Sequence, residues 1–223
     1  MKMTLKMRMK RPSLKSLKIN GLYAITPDLN DTHDLLNKTQ QVLEGGAKLI
    51  QYRNKLAHGI LLREQAGLLL QLCREHGVPL IINDYLELAI EIDADGVHVG
   101  QDDVSVTEAR NQLGHSKIIG VSCYNNPDLA IQAEKQGADY VAFGAFFPSL
   151  TKSNTVLVVA NLVVQTRKKI VIPIVGIGGI QLTNATAVIQ SGCAAIAVCY
   201  DLFQAKDIKA TAVQYSQLFA EAL

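Results

Sequence analysis

The stretch Leu49-Ile50-Gln51-Tyr52-Arg53-Asn54-Lys55 places two cations and an amide directly behind apolar residues. Side chains alternate along a strand, so Gln51, Arg53 and Lys55 share one face. Cations on an otherwise buried strand call for an anionic partner. A guanidinium can grip two phosphate oxygens at once, so the spacing fits a phosphate or diphosphate clamp. It fits equally a strand that has ended, with its cations in water. Two acidic stretches follow other apolar runs, Asn83-Asp84 and Gln101-Asp102-Asp103. Carboxylates beside a cationic clamp can share a magnesium ion with a diphosphate. Taken singly, Asp84 and Asp103 are as readily helix caps.

A second anion site is suggested farther on. Ser149-Leu150-Thr151-Lys152 offers two hydroxyls and an ammonium. Gly176-Ile177-Gly178-Gly179 lets backbone N–H groups approach a phosphate closely, although glycines also serve tight packing. The pattern is not the G-x-G-x-x-G of dinucleotide sites. The four cysteines (Cys73, Cys123, Cys193 and Cys199) form no C-x-x-C, read as reduced thiols, and none is taken as a metal ligand. His98 is expected to turn away from the site along Val97-His98-Val99, and no Ser–His–Asp or Cys–His set is evident.

These residues must be gathered by a scaffold. Apolar runs at 22–26, 49–53, 80–83, 97–99, 118–122, 140–143, 172–175 and 195–198 are nearly continuous, as in strands buried on both faces of a parallel sheet. Helix punctuation separates them. Asp31 or Thr32 opens the first helix and Gly45-Gly46 closes it. Ser105-Val106-Thr107-Glu108 has capping-box spacing, and Asn126-Pro127 supplies a cap followed by proline, with Gly137 as the stop. Thr183 is expected to cap the seventh helix and Gly192 to end it. Eight strand–helix units in about 200 residues predict a single (β/α)8 TIM barrel, with a doubly wound open sheet as the rival. In a barrel, function belongs at the carboxyl ends of the strands, where the clamp, the acids and the glycines all fall.

The 223 residues are 48% hydrophobic and 19% charged with a net charge of +2, which excludes disorder as the main state. Residues 1–18 hold seven of the 22 basic side chains and no acid. That leaves 15 basic against 20 acidic residues, so residues 19–223 carry −5, which argues against a nucleic-acid surface. The expected organisation is a basic, disordered leader over 1–18 and one catalytic barrel over 19–223. No secretory signal is expected, because no apolar stretch of about seven residues follows the basic start, and the longest uncharged apolar run has 11 residues with three Gly and a Pro, too short to span a membrane. A cytoplasmic protein is expected.

The chain resembles the thiamine-phosphate synthase family from Gly21 through Leu202. The residues that carry the likeness are Gly21-Leu22-Tyr23-Ala24-Ile25-Thr26, Gln51-Tyr52-Arg53-Asn54-Lys55, Asn83-Asp84, Gly96-Val97-His98-Val99-Gly100-Gln101-Asp102-Asp103, Gly120-Val121-Ser122 and Val175-Gly176-Ile177-Gly178-Gly179-Ile180. The resemblance implies that a pyrimidinylmethyl diphosphate loses diphosphate and that a thiazole phosphate nitrogen takes its place on carbon, by a dissociative route. By the same likeness, Gln51, Tyr52, Arg53, Asn54, Lys55, Asn83, Ser122 and Lys152 would hold the pyrimidine diphosphate, with Arg53, Ser122 and Lys152 assisting departure. Asp84 and Asp103 would bind Mg2+. Ser149, Leu150, Thr151, Gly179, Cys199 and Tyr200 would face the thiazole phosphate. Two positions depart from the family: Ser149 replaces the first threonine of a threonine-x-threonine-lysine, and Tyr200 stands where serine is usual. The expected partners are these small molecules, with no nucleic acid and no membrane, and a homo-oligomer is compatible with the sequence. The alternatives are a thiazole tautomerase and a non-catalytic sensor of thiazole or thiamine phosphate on the same barrel.

Overall fold

The computed structural model describes residues 19–147 and 160–221. Eight strands alternate with helices in the order β1 (Gly21–Ile25), α1 (Thr32–Glu44), β2 (Leu49–Tyr52), α2 (Gly59–His76), β3 (Leu80–Asn83), α3 (Leu86–Glu91), β4 (Gly96–Val99) and α4 (Val106–Leu113). The second half continues with β5 (Ile118–Tyr124), α5 (Pro127–Lys135), β6 (Tyr140–Phe143), α6 (Ala160–Thr166), β7 (Ile174–Ile177), α7 (Leu182–Gln190), β8 (Ala195–Val198), α8 (Tyr200–Phe203) and α9 (Ile208–Glu221). Each strand pairs in parallel with the next, and β8 pairs with β1, so the sheet closes into the expected barrel.

The period-two alternation of every strand divides the core in two. Tyr23, Leu49, Ile81, Ile118, Tyr140, Val175 and Ala195 face the bore and pack on one another. Their neighbours, including Leu22, Ile50, Ile82, Val97, Val141 and Ile196, face the helices. At the amino-terminal ends, Asp95 accepts from the Leu80 N–H at 2.9 Å. Asp139 likewise accepts from the Ile119 N–H at 2.8 Å and from Arg110 at 2.6 Å. Acids at this end tie strand starts together, leaving the carboxyl ends for chemistry.

Helix starts follow local capping. Asp31 accepts from the Asp34 N–H, Ser105 from that of Glu108 and Asn126 from that of Asp128. Two expectations need correction. The seventh run pairs over Ile174–Ile177 rather than 172–175, because Pro173 has no N–H to give a ladder and only its carbonyl is used, by Val141. Thr183 lies inside α7, whose cap is Gln181. The Asn184 side chain accepts from the Gln181 N–H at 2.9 Å, which starts the helix two residues earlier than Thr183 would.

Candidate active site

The end of β1 splints the end of β2. Thr26 Oγ1 accepts from the Arg53 N–H and donates to the Arg53 carbonyl, both at 2.9 Å. Asp28 then takes Arg53 Nη1 on both carboxylate oxygens, at 3.1 and 3.2 Å, and the Lys55 N–H at 2.7 Å. Arg53 and Lys55, with Asn83 and Asp84 from the end of β3, line a depression of about 270 Å³. Tyr52 and Asn54 line it too, but their polar groups are engaged elsewhere. Tyr52 donates to Gln65 at 2.8 Å, while Asn54 donates to Gln65 and to the Leu29 carbonyl and accepts from the N–H groups of Leu56 and Ala57. They pin the loop that carries the two cations.

Asp84 takes a left-handed backbone conformation, φ 63°, which a non-glycine residue holds only when its surroundings impose it. Burial raises its carboxyl to about 6, and the adjacent Asp103 carboxylate adds to the rise, while Lys55 and Arg53 pull it down. Asp103 is fixed by accepting from the Gly100 N–H at 2.7 Å, and it lines a second depression together with Ser122. The two acids from the ends of β3 and β4 therefore meet, as the sequence suggested. Among the described residues no group of three or more His, Cys, Asp or Glu side chains forms a metal cage. Two hard oxygen donors fit Mg2+, which characteristically takes one or two carboxylates and completes its shell with phosphate and water.

His98 overturns its expected direction. The register aligns it with Gly120 and Gly120 with Tyr140, and a Cβ on Gly120 would lie 2.0 Å from the Tyr140 ring. The missing side chain lets the His98 and Tyr140 rings stack across the bore, centroids 5.6 Å apart. His98 Nε2 lies 2.9 Å from Ser122 Oγ, and Nδ1 lies 2.9 Å from the Tyr140 hydroxyl. Gln51 sits on the floor of the mouth, bonded to Tyr23 at 2.8 Å.

On the far side, Gly178 and Gly179 both have positive φ (100° and 62°) ahead of α7. A Cβ at Gly178 would lie 2.5 Å from that of Ala145, so the turn needs glycine there on two counts. The Cys199 thiol, pushed up to about 11 by burial, feels both Arg53 and Asp28 and so belongs to the same mouth. Tyr200 opens α8 and is 55% exposed. Ser149, Leu150, Thr151 and Lys152 lie outside the described residues.

Asp28, Tyr23, Tyr140 and His98 were not foreseen as parts of the site. Tyr23 and Tyr140 could have been found from the inward phase of their strands, which puts polar groups where aliphatic ones are usual, whereas His98 sits between two valines that give no phase. Asp28 had a weaker signal, an acid two residues past a strand beside two unpaired cations.

A closed parallel barrel with cations, glycines and paired acids at its carboxyl-terminal rim defines a (β/α)8 enzyme acting on phosphorylated small molecules. The family described as thiamine monophosphate synthase matches residues 22–202, and the chain belongs to it. It is 53% identical to the thiamine-phosphate synthase of Nitrosospira multiformis over 201 residues, 90% of this chain and 86% of that protein. It is 51% identical to the thiamine-phosphate synthase of Nitrosomonas eutropha, covering 93% of this chain and 98% of the other. A solved thiamine phosphate pyrophosphorylase from Pyrococcus furiosus superposes with a TM-score of 0.80 at 32% identity, over 94% of this chain and 98% of that one.

Proposed function

We propose that Arg53, Lys55 and Asn83 receive the diphosphate of 4-amino-2-methyl-5-(diphosphooxymethyl)pyrimidine, with Asp84 and Asp103 presenting Mg2+ to it. The thiazole phosphate then enters from the side of Gly179 and Cys199, where Ser149, Thr151 and Lys152 join by family likeness. The activity itself comes with membership of the family: the chain is a thiamine-phosphate synthase, a transferase of thiamine biosynthesis.

The observation that carries this reading is the meeting of Asp84 and Asp103 at neighbouring strand ends, facing Arg53 and Lys55. In a dissociative transfer the carbon–oxygen bond breaks first, and charge gathers on the departing diphosphate. Cations already held in place stabilise that charge more than the ground state, and so raise the rate rather than the affinity alone. Asp28 holds Arg53, Thr26 holds its backbone, and Tyr52 and Asn54 hold the loop, so little reorganisation remains when charge develops. Ser122 lines the same rim beside Asp103. Mg2+, when bound, supplies neutralisation of the diphosphate. No protein nucleophile is required, since the thiazole nitrogen attacks the carbon directly. A tautomerase on the same barrel would have no leaving group to hold, and the paired acids beside two cations would serve nothing.

Reduced thiols support a cytoplasmic setting: all four cysteines are free. No helix among the described residues is long and apolar enough to cross a membrane.

The test is purified protein with both substrates, with and without EDTA, following thiamine phosphate by chromatography. Product should form with Mg2+, vanish with EDTA and return when Mg2+ is restored. Equal product without metal would remove the metal from the reading. Tight ligand binding without any product would favour the sensor.

A further inference from the structure

Five polar side chains from five strands form one unbroken chain through the bore. Gln51 Nε2 lies 2.8 Å from the Tyr23 hydroxyl, which lies 2.7 Å from that of Tyr140. The Tyr140 hydroxyl lies 2.9 Å from His98 Nδ1, and His98 Nε2 lies 2.9 Å from Ser122 Oγ. Gln51, Tyr23, Tyr140 and His98 are buried, and Ser122 stands half-buried at the upper end, lining the depression that holds Asp103.

Giving every hydroxyl proton an acceptor makes the bonds run one way. A hydroxyl has one hydrogen to give, and an amide nitrogen only donates. Gln51 therefore donates to Tyr23, and Tyr23 has its own proton left for Tyr140. Tyr140 in turn gives its proton to His98, which must receive it on a bare Nδ1. A ring that accepts on Nδ1 carries its single hydrogen on Nε2, 2.9 Å from Ser122 Oγ. No buried side-chain nitrogen or oxygen among the described residues lacks a partner, as this ordering requires. Ser122 is thus the acceptor at the end of the line, and its own hydroxyl proton is directed outward.

We propose that the bore chain sets Ser122 as a one-way hydrogen-bond donor to the anion in the mouth, with Tyr23, Tyr140 and His98 as positioning residues. The proposal rests on the diphosphate reading above. A freely turning hydroxyl can present a lone pair to a phosphate oxygen and repel it. One whose lone pair is already taken by His98 Nε2–H offers its proton, and this orientation is fixed before the charge develops.

The first measurement is the His98 tautomer in the unaltered full-length protein, by long-range 1H–15N NMR near pH 7.5, assigned by comparison with His98→Gln. Hydrogen on Nε2 is expected. Hydrogen on Nδ1 overturns the proposal, because the His98 bonds to Tyr140 and Ser122 then reverse and Ser122 spends its proton inward. The second is titration calorimetry with magnesium diphosphate on Ser122→Ala, Tyr140→Phe and the double variant, with thermal melts checking the fold. Each single variant should weaken binding about five- to tenfold, and the double should be no weaker than Ser122→Ala. Losses that multiply in the double variant would show that Tyr140 acts apart from Ser122, overturning the proposal. Failure of the unaltered protein to bind magnesium diphosphate overturns the diphosphate reading and the ligand half of this one, whereas the tautomer is read without ligand.

Discussion

Asp28, just past β1, holds Arg53, just past β2, through both of its carboxylate oxygens, while one of those oxygens also takes the Lys55 N–H. One acid thus sets the direction of a guanidinium and the path of the backbone leading to an ammonium. Two roles are open to an acid in that place: a splint for the clamp, or a competitor that the diphosphate must displace. The Thr26 bonds to both polar atoms of the Arg53 peptide favour the splint, because they show the same strand end shaping its neighbour.

Asp28→Ala should therefore lower kcat/KM for the pyrimidine diphosphate by about tenfold or more, the cost of a misdirected charged contact. Asp28→Asn should recover part of the loss, since it still accepts from the Lys55 N–H. Steady-state kinetics decide the matter: a variant that binds the diphosphate more tightly than the parent would identify Asp28 as a competitor.

Asp84→Ala and Lys152→Ala should each lower turnover by at least about tenfold with cooperative unfolding retained, because each removes a group proposed to act on the leaving diphosphate. Asp84→Ala should also raise the Mg2+ concentration needed for half-maximal rate, and Lys152→Ala should not. Near-normal turnover in both variants, measured at saturating substrate, would mean that the diphosphate lies elsewhere.

Acid should weaken the proposed metal site. The Asp84 carboxyl, raised to about 6 by burial and by Asp103, takes up a proton as pH falls through that value and then no longer offers a negative oxygen. Affinity for magnesium diphosphate should fall as pH drops below about 6. In Asp103→Asn one source of the rise is gone, so the falling limb should move to lower pH even though affinity is weaker throughout. A limb that stays in place would assign it to another group.

The barrel was legible because its strands are buried on both faces, and continuous apolar runs survive any error in their ends. The strand displaced by two residues shows the limit: 172–175 reads as apolar, but a proline inside the run decides where pairing begins. The Asp84–Asp103 meeting was legible because barrel topology brings the ends of consecutive strands together. His98 was not, since Val97-His98-Val99 is symmetric in hydrophobicity and gives no inward phase by itself. The phase is set by the partner strands, through the gap that Gly120 leaves for Tyr140.

Tyr200 departs from the family serine and is more than half exposed at the start of α8. Its neighbour Cys199 feels the Arg53 charge. Tyr200→Ser should therefore change mainly the KM for thiazole phosphate, by less than about tenfold. A change confined to the pyrimidine substrate would contradict the placement of the two substrates.

The His98 imidazole ties catalysis to stability. Burial lowers its pKa from 6.5 to about 4, because a charge in the bore would lose its water while its two ring nitrogens face Tyr140 and Ser122. Above pH 6.5 both folded and unfolded chains hold it neutral, and it adds no pH dependence. Between 6.5 and about 4 the unfolded chain binds the proton and the folded one does not, so stability falls with pH across that window. The full loss is roughly 3 kcal/mol, from about 1.4 kcal/mol per pH unit. Urea unfolding at a series of pH values should show this slope in the parent. It should be flatter in His98→Gln, which cannot titrate, whatever the variant's overall stability. Equal slopes in the two proteins would mean that His98 carries its proton inside the fold, which would also break the donor order that ends at Ser122.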